Sequence, residues 1–181
     1  PYTTLFRSLK YSRYGTHLKR LKDPEDHIGT FLSAAEHLKS FMGPVLVQLR
    51  PDWDAQPDRL DRFLKEAPRR HRWAVEMRDR RWLNSTMYDI LRKYNAALVF
   101  HDLLDDHPDI RTADWAYFRF HGPGEDDYTG KYSQDDLSRI ADTVMDCCSR
   151  GMDTYVYFNN DQNGFAPQNA AELREKLGEQ S

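Results

Sequence analysis

Apolar stretches of this sequence repeatedly end in polar or charged side chains. Pro44–Leu49 carries Gln48 and runs into Arg50, and Trp73–Met77 carries Glu76 and runs into Arg78. Ala96–Phe100 leads to His101 and Asp102, and Trp115–Phe120 holds Arg119 and leads to His121. Thr154–Phe158 leads to Asn159, Asn160 and Asp161. A carboxylate and an imidazole in such positions can move protons, which makes Glu76 and His121 the candidate acid and base. Guanidinium groups hold anions through paired hydrogen bonds, which makes Arg78 and Arg119 candidate ligand contacts. Gln48, Asp102, Asn159 and Asn160 are candidate polar contacts beside them. Strand side chains alternate between faces, so Glu76 shares a face with Arg78, and Arg119 and His121 share one with Tyr117. Charge inside a strand is costly unless paired, so Glu76, Arg78 and Arg119 are expected to form a charge network. A buried ion-pair layer that only fills the protein would give the same pattern.

Other residues give weaker signals. His101, Asp102, Asp105, Asp106 and His107 are types that suit Zn²⁺ or Mn²⁺, but their spacing fits no compact ligand motif, and no metal site is expected. Gly122-Pro123-Gly124 is a weak candidate phosphate cradle and reads more simply as a turn. Cys147 and Cys148 read as helix packing rather than as nucleophiles. No cofactor can be assigned from these residues.

The elements that must position this chemistry alternate between strand and helix. Short strands are expected at Leu9–Ser12, Pro44–Leu49, Trp73–Met77, Ala96–Phe100, Trp115–Phe120 and Thr154–Phe158. Asp23 as cap and Pro24 at the first turn open a helix carrying Phe31, Leu32, Ala35 and Leu38, with Gly43 as its stop. Asp58–Ala67 is amphipathic through Leu60, Phe63 and Leu64, and Ser85 is expected to cap a helix carrying Met87, Ile90 and Leu91. Ser133 with Asp136 forms a capping-box pattern before Leu137, Ile140 and Val144, a helix that Gly151 ends. Gln168–Leu177 is the last helix. Six strands separated mostly by helices predict a parallel α/β sheet, with its ligand side at the strand C-termini. Pattern alone leaves an open doubly wound sheet and a barrel both possible, but no G-x-G-x-x-G follows any strand.

Composition narrows the classes further. The chain has 181 residues, a formal net charge of −3 and 39% hydrophobic residues, which fits one globular domain. Its basic residues are interleaved with acids, so there is no strong nucleic-acid signal. No apolar run is long enough to span a membrane. The two adjacent cysteines are poor disulfide partners and fit a reducing compartment, so a cytoplasmic location is expected. The opening octapeptide Pro1-Tyr2-Thr3-Thr4-Leu5-Phe6-Arg7-Ser8 matches the translation of a common sequencing adapter. Residues 1–8 are therefore expected to be an adapter-like artefact of metagenomic sequencing, and residues 9–181 one truncated barrel domain.

The motifs together resemble the YecE-like family, domain of unknown function seventy-two. They are Lys10–Ser12 leading to Thr16-His17, Gly43–Leu49, Ala74–Arg78 with Trp82, Arg119–Gly122, Tyr128–Gly130 and Tyr155–Asn160. The resemblance runs from about Leu9 to the C-terminus and adds Lys10 and His17 to the candidate ligand contacts. It implies an incomplete (β/α)8 TIM-type barrel with about six of the eight strands, the opening two lying outside this sequence. Any activity is then expected to belong to a longer parent. Asp79 stands where the family often has His, which weakens any role for that position. The expected function is binding of, or action on, a small polar or anionic ligand, as a hydrolase or lyase type if it is an enzyme. A metal-dependent hydrolase or nuclease-like barrel and a non-catalytic interaction module are the alternatives.

Overall fold

A computed structural model describes residues Arg7–Gly178. Strand β1 (Arg7–Lys10) leads through a π-helical turn (Tyr14–Leu18) to α1 (Pro24–Ala35). Strands β2 (Met42–Gln48) and β3 (Trp73–Glu76) flank α2 (Pro57–Glu66), and α3 (Ser85–Lys93) precedes β4 (Ala97–His101). Strand β5 (Trp115–Phe120) follows, then α4 (Gln134–Ser149), β6 (Asp153–Phe158) and α5 (Phe165–Lys176). The strands pair in the order β1-β2-β3-β4-β5-β6, and every pairing is parallel. A doubly wound sheet reverses its strand order at a switch point, whereas here the order never reverses. The fold is therefore α/β of the incomplete TIM-barrel type.

The chain divides into two compact units. The first holds residues up to Leu98 with Ile110–Ala113, and the second holds Val99–Asp109 with Asp114 onward. Strand β4 is shared. Ala97 and Leu98 pair with Ala74 and Val75 of β3, while Val99, Phe100 and His101 pair with Tyr117, Phe118 and Arg119 of β5.

In the first unit one sheet face and three helices make the core. Val45, Val47 and Leu49 alternate with Leu46 and Gln48, and Trp73, Val75 and Met77 alternate with Ala74 and Glu76. The first-named set of each strand joins Ile28, Leu32, Leu60, Phe63, Leu64, Met87 and Leu91 in a single apolar cluster. Fully burying a side chain such as Phe63 contributes about 1.5–3 kcal/mol. Tyr11 meets Phe31, Phe63 and Trp73 edge-on, and burial pushes its hydroxyl pKa up to about 12. Leu46, Gln48, Ala74 and Glu76 are left on the face away from the helices. In the second unit Ala116, Phe118 and Phe120 pack on Leu137, Ile140, Val144 and Cys147 of α4 and Leu173 of α5. The other face of β5 and β6 carries a stack of Tyr117 on Tyr157, with ring centroids 4.9 Å apart.

Several boundaries differ from the sequence reading, each for a local reason. Strand β1 begins at Arg7 because Arg7 is in register with Met42. Helix α1 ends at Ala35, and Gly43 is not its stop but part of β2. A Cβ at Gly43 would lie 3.2 Å from the backbone of Arg7 and Ser8, so the glycine allows the close approach of β1. Asp23 precedes α1 in a left-handed conformation (φ 49°) and makes no side-chain capping bond. Asn84, not Ser85, caps α3 by accepting from the Met87 N–H. Helix α5 starts three residues early because Gly164, at φ 72°, turns the chain into it. The Ser133–Asp136 capping box forms as expected. Of the opening octapeptide, Pro1–Phe6 lies outside the described residues, and Arg7 and Ser8 belong to β1.

Candidate functional site

The ends of the first three strands carry a connected polar row on the sheet face away from the helices. Lys10, Gln48 and Glu76 are the last residues of β1, β2 and β3, and Gln48 is in register with Glu76. Lys10 Nζ donates to Gln48 Oε1 at 2.6 Å, and Gln48 Nε2 donates to Glu76 Oε1 at 2.7 Å. These two bonds fix the amide: its carbonyl faces the ammonium and its NH₂ faces the carboxylate. Arg78 Nε lies 3.8 Å from the same Glu76 oxygen. Glu76 is 0% exposed and Gln48 is 6% exposed. A carboxylate this deep requires compensating charge and hydrogen bonds, and the row supplies both.

Neighbouring residues hold this row in place. Asp79 accepts from the Arg81 backbone N–H at 3.0 Å and from Arg81 Nε at 2.8 Å, and these bonds keep its carboxyl below the usual range. Its side chain is thus engaged in closing the turn after β3. Trp82 is fully buried, donates Nε1–H to the Trp53 carbonyl at 2.6 Å and packs on the Trp53 ring.

His17 sits on the π-helical turn after β1, its Nδ1 2.8 Å from Thr16 Oγ1. Burial lowers its pKa, and the charges of Arg13, Lys10, Arg50 and Arg78 lower it further, which favours the neutral imidazole. The connection that follows is strained. Arg20, Leu21 and Asp23 all have left-handed φ values, 51°, 59° and 49°. Such residues cost on the order of 1–3 kcal/mol each and persist where the surroundings over-determine them. The anchor here is Leu21, 2% exposed, whose N–H donates to the Gly15 carbonyl at 2.9 Å.

The second unit has its own polar strand ends. His101, Arg119 and Tyr157 are in register across β4, β5 and β6. His101 Nδ1 accepts the Leu103 N–H at 3.3 Å, and its ring meets His107 edge-on at 4.6 Å and His121 at 6.3 Å. Asp102 accepts the His121 backbone N–H at 2.8 Å through one oxygen and the Tyr132 hydroxyl through the other. The Tyr132 hydroxyl in turn accepts the Gly122 N–H at 2.6 Å. Asp102 therefore staples the exit of β5. Burial raises its pKa, against the lowering effect of its bonds to Tyr132 and His121. Burial and the nearby Asp102 charge raise the Tyr132 pKa strongly.

The loop after β5 is not a phosphate cradle. The Gly122 N–H is taken by Tyr132, and the Gly124 N–H donates to the Thr129 carbonyl at 3.1 Å. Gly122 has φ 115°, and a Cβ there would strike the Thr129 oxygen at 2.0 Å, so the glycine serves the tight turn. Asn160, fully buried, donates to the Gly130 carbonyl and to Asn169 Oδ1, both at 2.9 Å. Asn159 is half-buried, and its backbone N–H extends the ladder to the Phe120 carbonyl at 2.7 Å.

The structure thus gathers Lys10, Gln48, Glu76 and Arg78, with His17 within reach of the same charges. Of the expected charge network, the Glu76–Arg78 pair is present, and Arg119 belongs to the second unit beside His101 and Tyr157. Tyr132 and Asn169 are polar members that the sequence reading missed. Asn169 is fully buried in α5, where its Oδ1 accepts the Tyr132 N–H. Its only sequence signal is an amide at a helix position that the apolar pattern marks as inward. Among the described residues, no group of three or more His, Cys, Asp or Glu side chains is placed to hold a metal ion. None of the described helices is long and apolar enough to cross a membrane.

Sequential parallel strands with polar groups at their C-terminal ends define a protein of the barrel-type α/β class, with its candidate site on the side where such folds bind ligands. The model of the family "Protein of unknown function DUF72" matches residues 5–181, and the chain belongs to that family. A DUF72 family protein of Thermotoga maritima MSB8 is 28% identical, superposes with a TM-score of 0.85, and aligns over 96% of this chain and 74% of its own. A DUF72 family protein of Enterococcus faecalis V583, at 19% identity and a TM-score of 0.71, aligns over 94% of this chain and 70% of its own, and shares the fold. No curated protein matches the sequence.

Proposed function

We propose that the chain binds, and acts on, a small polar ligand carrying negative charge at the C-terminal ends of its strands. One observation carries this reading: a fully buried carboxylate, Glu76, at the last position of β3, bonded to Gln48 and flanked by Arg78. Glu76 is the proton-transfer group, Arg78 is the anion-holding cation, and Gln48, Lys10 and His17 orient the ligand. At the strand ends of the second unit, Arg119 and His121 serve in the same way as cation and as acid or base, with Asn159 and Asn160 as polar contacts. Asp102 contributes by holding His121 in place. Cys147 and Cys148 form no disulfide among the described residues, which is consistent with a cytoplasmic setting.

Ligand-observed NMR with mixtures of organic acids, sugar acids and phosphate esters tests the proposal. Hits on the wild type that are lost in Arg78→Gln and altered in Glu76→Gln support it. Hits that both variants retain unchanged overturn it.

A further inference from the structure

The connections after β1 and β2, together with the start of α2, line an open cavity of about 640 Å³ in the first unit. His17, Lys19, Arg20, Lys22, Arg50 and Arg59 line it, and Asp23 is its one carboxylate. Elsewhere on the protein, several basic side chains are matched by acids, as in Arg62–Glu25, Arg81–Asp54, Arg92–Asp89, Lys93–Asp61 and Lys131–Glu172. In this cavity the matching fails. Asp23 reaches only Lys19, at 3.9 Å, and Arg20, Lys22, Arg50 and Arg59 make no ion pair among the described residues. Arg50 and Arg59 are half-buried, so both are partly shielded from solvent where they line the cavity. Four cations without an ion pair thus line one pocket of a protein whose net charge is −3.

We propose that this cavity is a subsite for the phosphate group of a small phosphorylated ligand. Planar guanidinium forks match phosphate oxygens two at a time, and lysine ammonium groups add point charge around them. The imidazole of His17 adds a ring nitrogen at the cavity wall, in the field of Lys10, Arg50 and Arg78. That shared field ties the pocket to the Glu76 row, since Arg78 pairs with Glu76 and Lys10 with Gln48. The inference rests on the anionic-ligand reading above and narrows it to phosphate. The volume suits a compact molecule. A nucleic-acid strand would need a continuing basic track, but exposed Asp52, Asp54 and Asp58 follow Arg50 along the connection to α2.

The test is a titration of the full chain with inorganic phosphate and with pyrophosphate, followed by NMR and calorimetry. Expected is saturable binding that moves the His17 ring signals and the amides of residues 17–23, 50 and 59. Arg50→Gln/Arg59→Gln weakens it at least tenfold, and so does the exposed Lys22→Gln paired with either, which guards against a folding defect. Lys131→Gln, in the other unit, leaves binding unchanged. Non-saturable binding, or equal binding of chloride and pyrophosphate, overturns the subsite. Tighter binding of a single-stranded oligonucleotide than of pyrophosphate overturns it in favour of nucleic acid. Capture of carboxylate ligands dependent on Arg78, with no pyrophosphate binding, overturns the subsite and leaves the Glu76 reading standing. Pyrophosphate binding with ligand capture indifferent to Glu76 and Arg78 does the reverse.

Discussion

Replacing Gln48 with leucine isolates what the polar row contributes. Leucine keeps nearly the same volume, so no cavity opens and the cost is electrostatic. The substitution removes the 2.7 Å hydrogen bond into Glu76, a carboxylate with no exposure to replace it. Hydrogen bonds to charged groups are worth about 1.5–3 kcal/mol, and the acceptor left behind is buried. Lys10 also loses the carbonyl it donates to, but it is an exposed side chain and contributes under about 1 kcal/mol. The expected loss is about 2–3 kcal/mol, a shift in the unfolding constant of roughly 30- to 150-fold. Urea unfolding followed by tryptophan fluorescence measures it. Trp53, Trp73 and Trp82 report on the first unit, and a Trp115→Phe background silences the fourth tryptophan, in the second. Gln48→Leu/Glu76→Leu removes both partners, so it should be less destabilised than the sum of the single changes, with a coupling of roughly 2 kcal/mol. A single variant within about 0.5 kcal/mol of the wild type, or strict additivity, would refute the view that Gln48 sustains a buried charge on Glu76.

Asp102 has a raised pKa in the folded protein, so its contribution to stability is full below the unfolded value and lost as pH rises through the folded one. Carbon-detected NMR titration should place this carboxyl above ordinary aspartates, and Tyr132→Phe should raise it further by removing a hydrogen bond; a value at or below the usual range refutes this. Thr112→Val should cost about 2–3 kcal/mol in chemical denaturation, because the hydroxyl accepts the Leu98 N–H and donates to the Ala96 carbonyl, and both sites are buried. Ser133→Ala should cost about 1 kcal/mol by the same measurement, through loss of the capping box of α4.

The strand ends were legible because parallel strands are apolar runs, and a polar group closing such a run stands out. Gln48, Glu76, Arg119 and His121 were all visible in this way. The direct contacts among Lys10, Gln48 and Glu76 follow from strand register, which no local pattern encodes. Thr112, Tyr132 and Asn169 were hidden for a related reason. Thr112 meets Leu98 from 14 residues away and Tyr132 meets Asn169 from 37, and a Thr, Tyr or Asn in isolation reads as ordinary surface or turn. The basic cavity escaped notice because its cations are interleaved with acids in sequence, while Glu25 turns to Arg62 in space. Asp23 looked like a cap, yet the chain reaches it in a left-handed conformation that withdraws its side chain from the helix start.

The central claim is that the Glu76 row holds a small anionic ligand. A crystal of the chain soaked with the tightest-binding ligand from the NMR mixtures tests it most directly. The account predicts difference density with an anionic group against Arg78 and a polar atom within hydrogen-bonding distance of Glu76 or Gln48. Well-ordered ligand density confined to any other part of the protein, with the Lys10–Gln48–Glu76 row untouched, would contradict it.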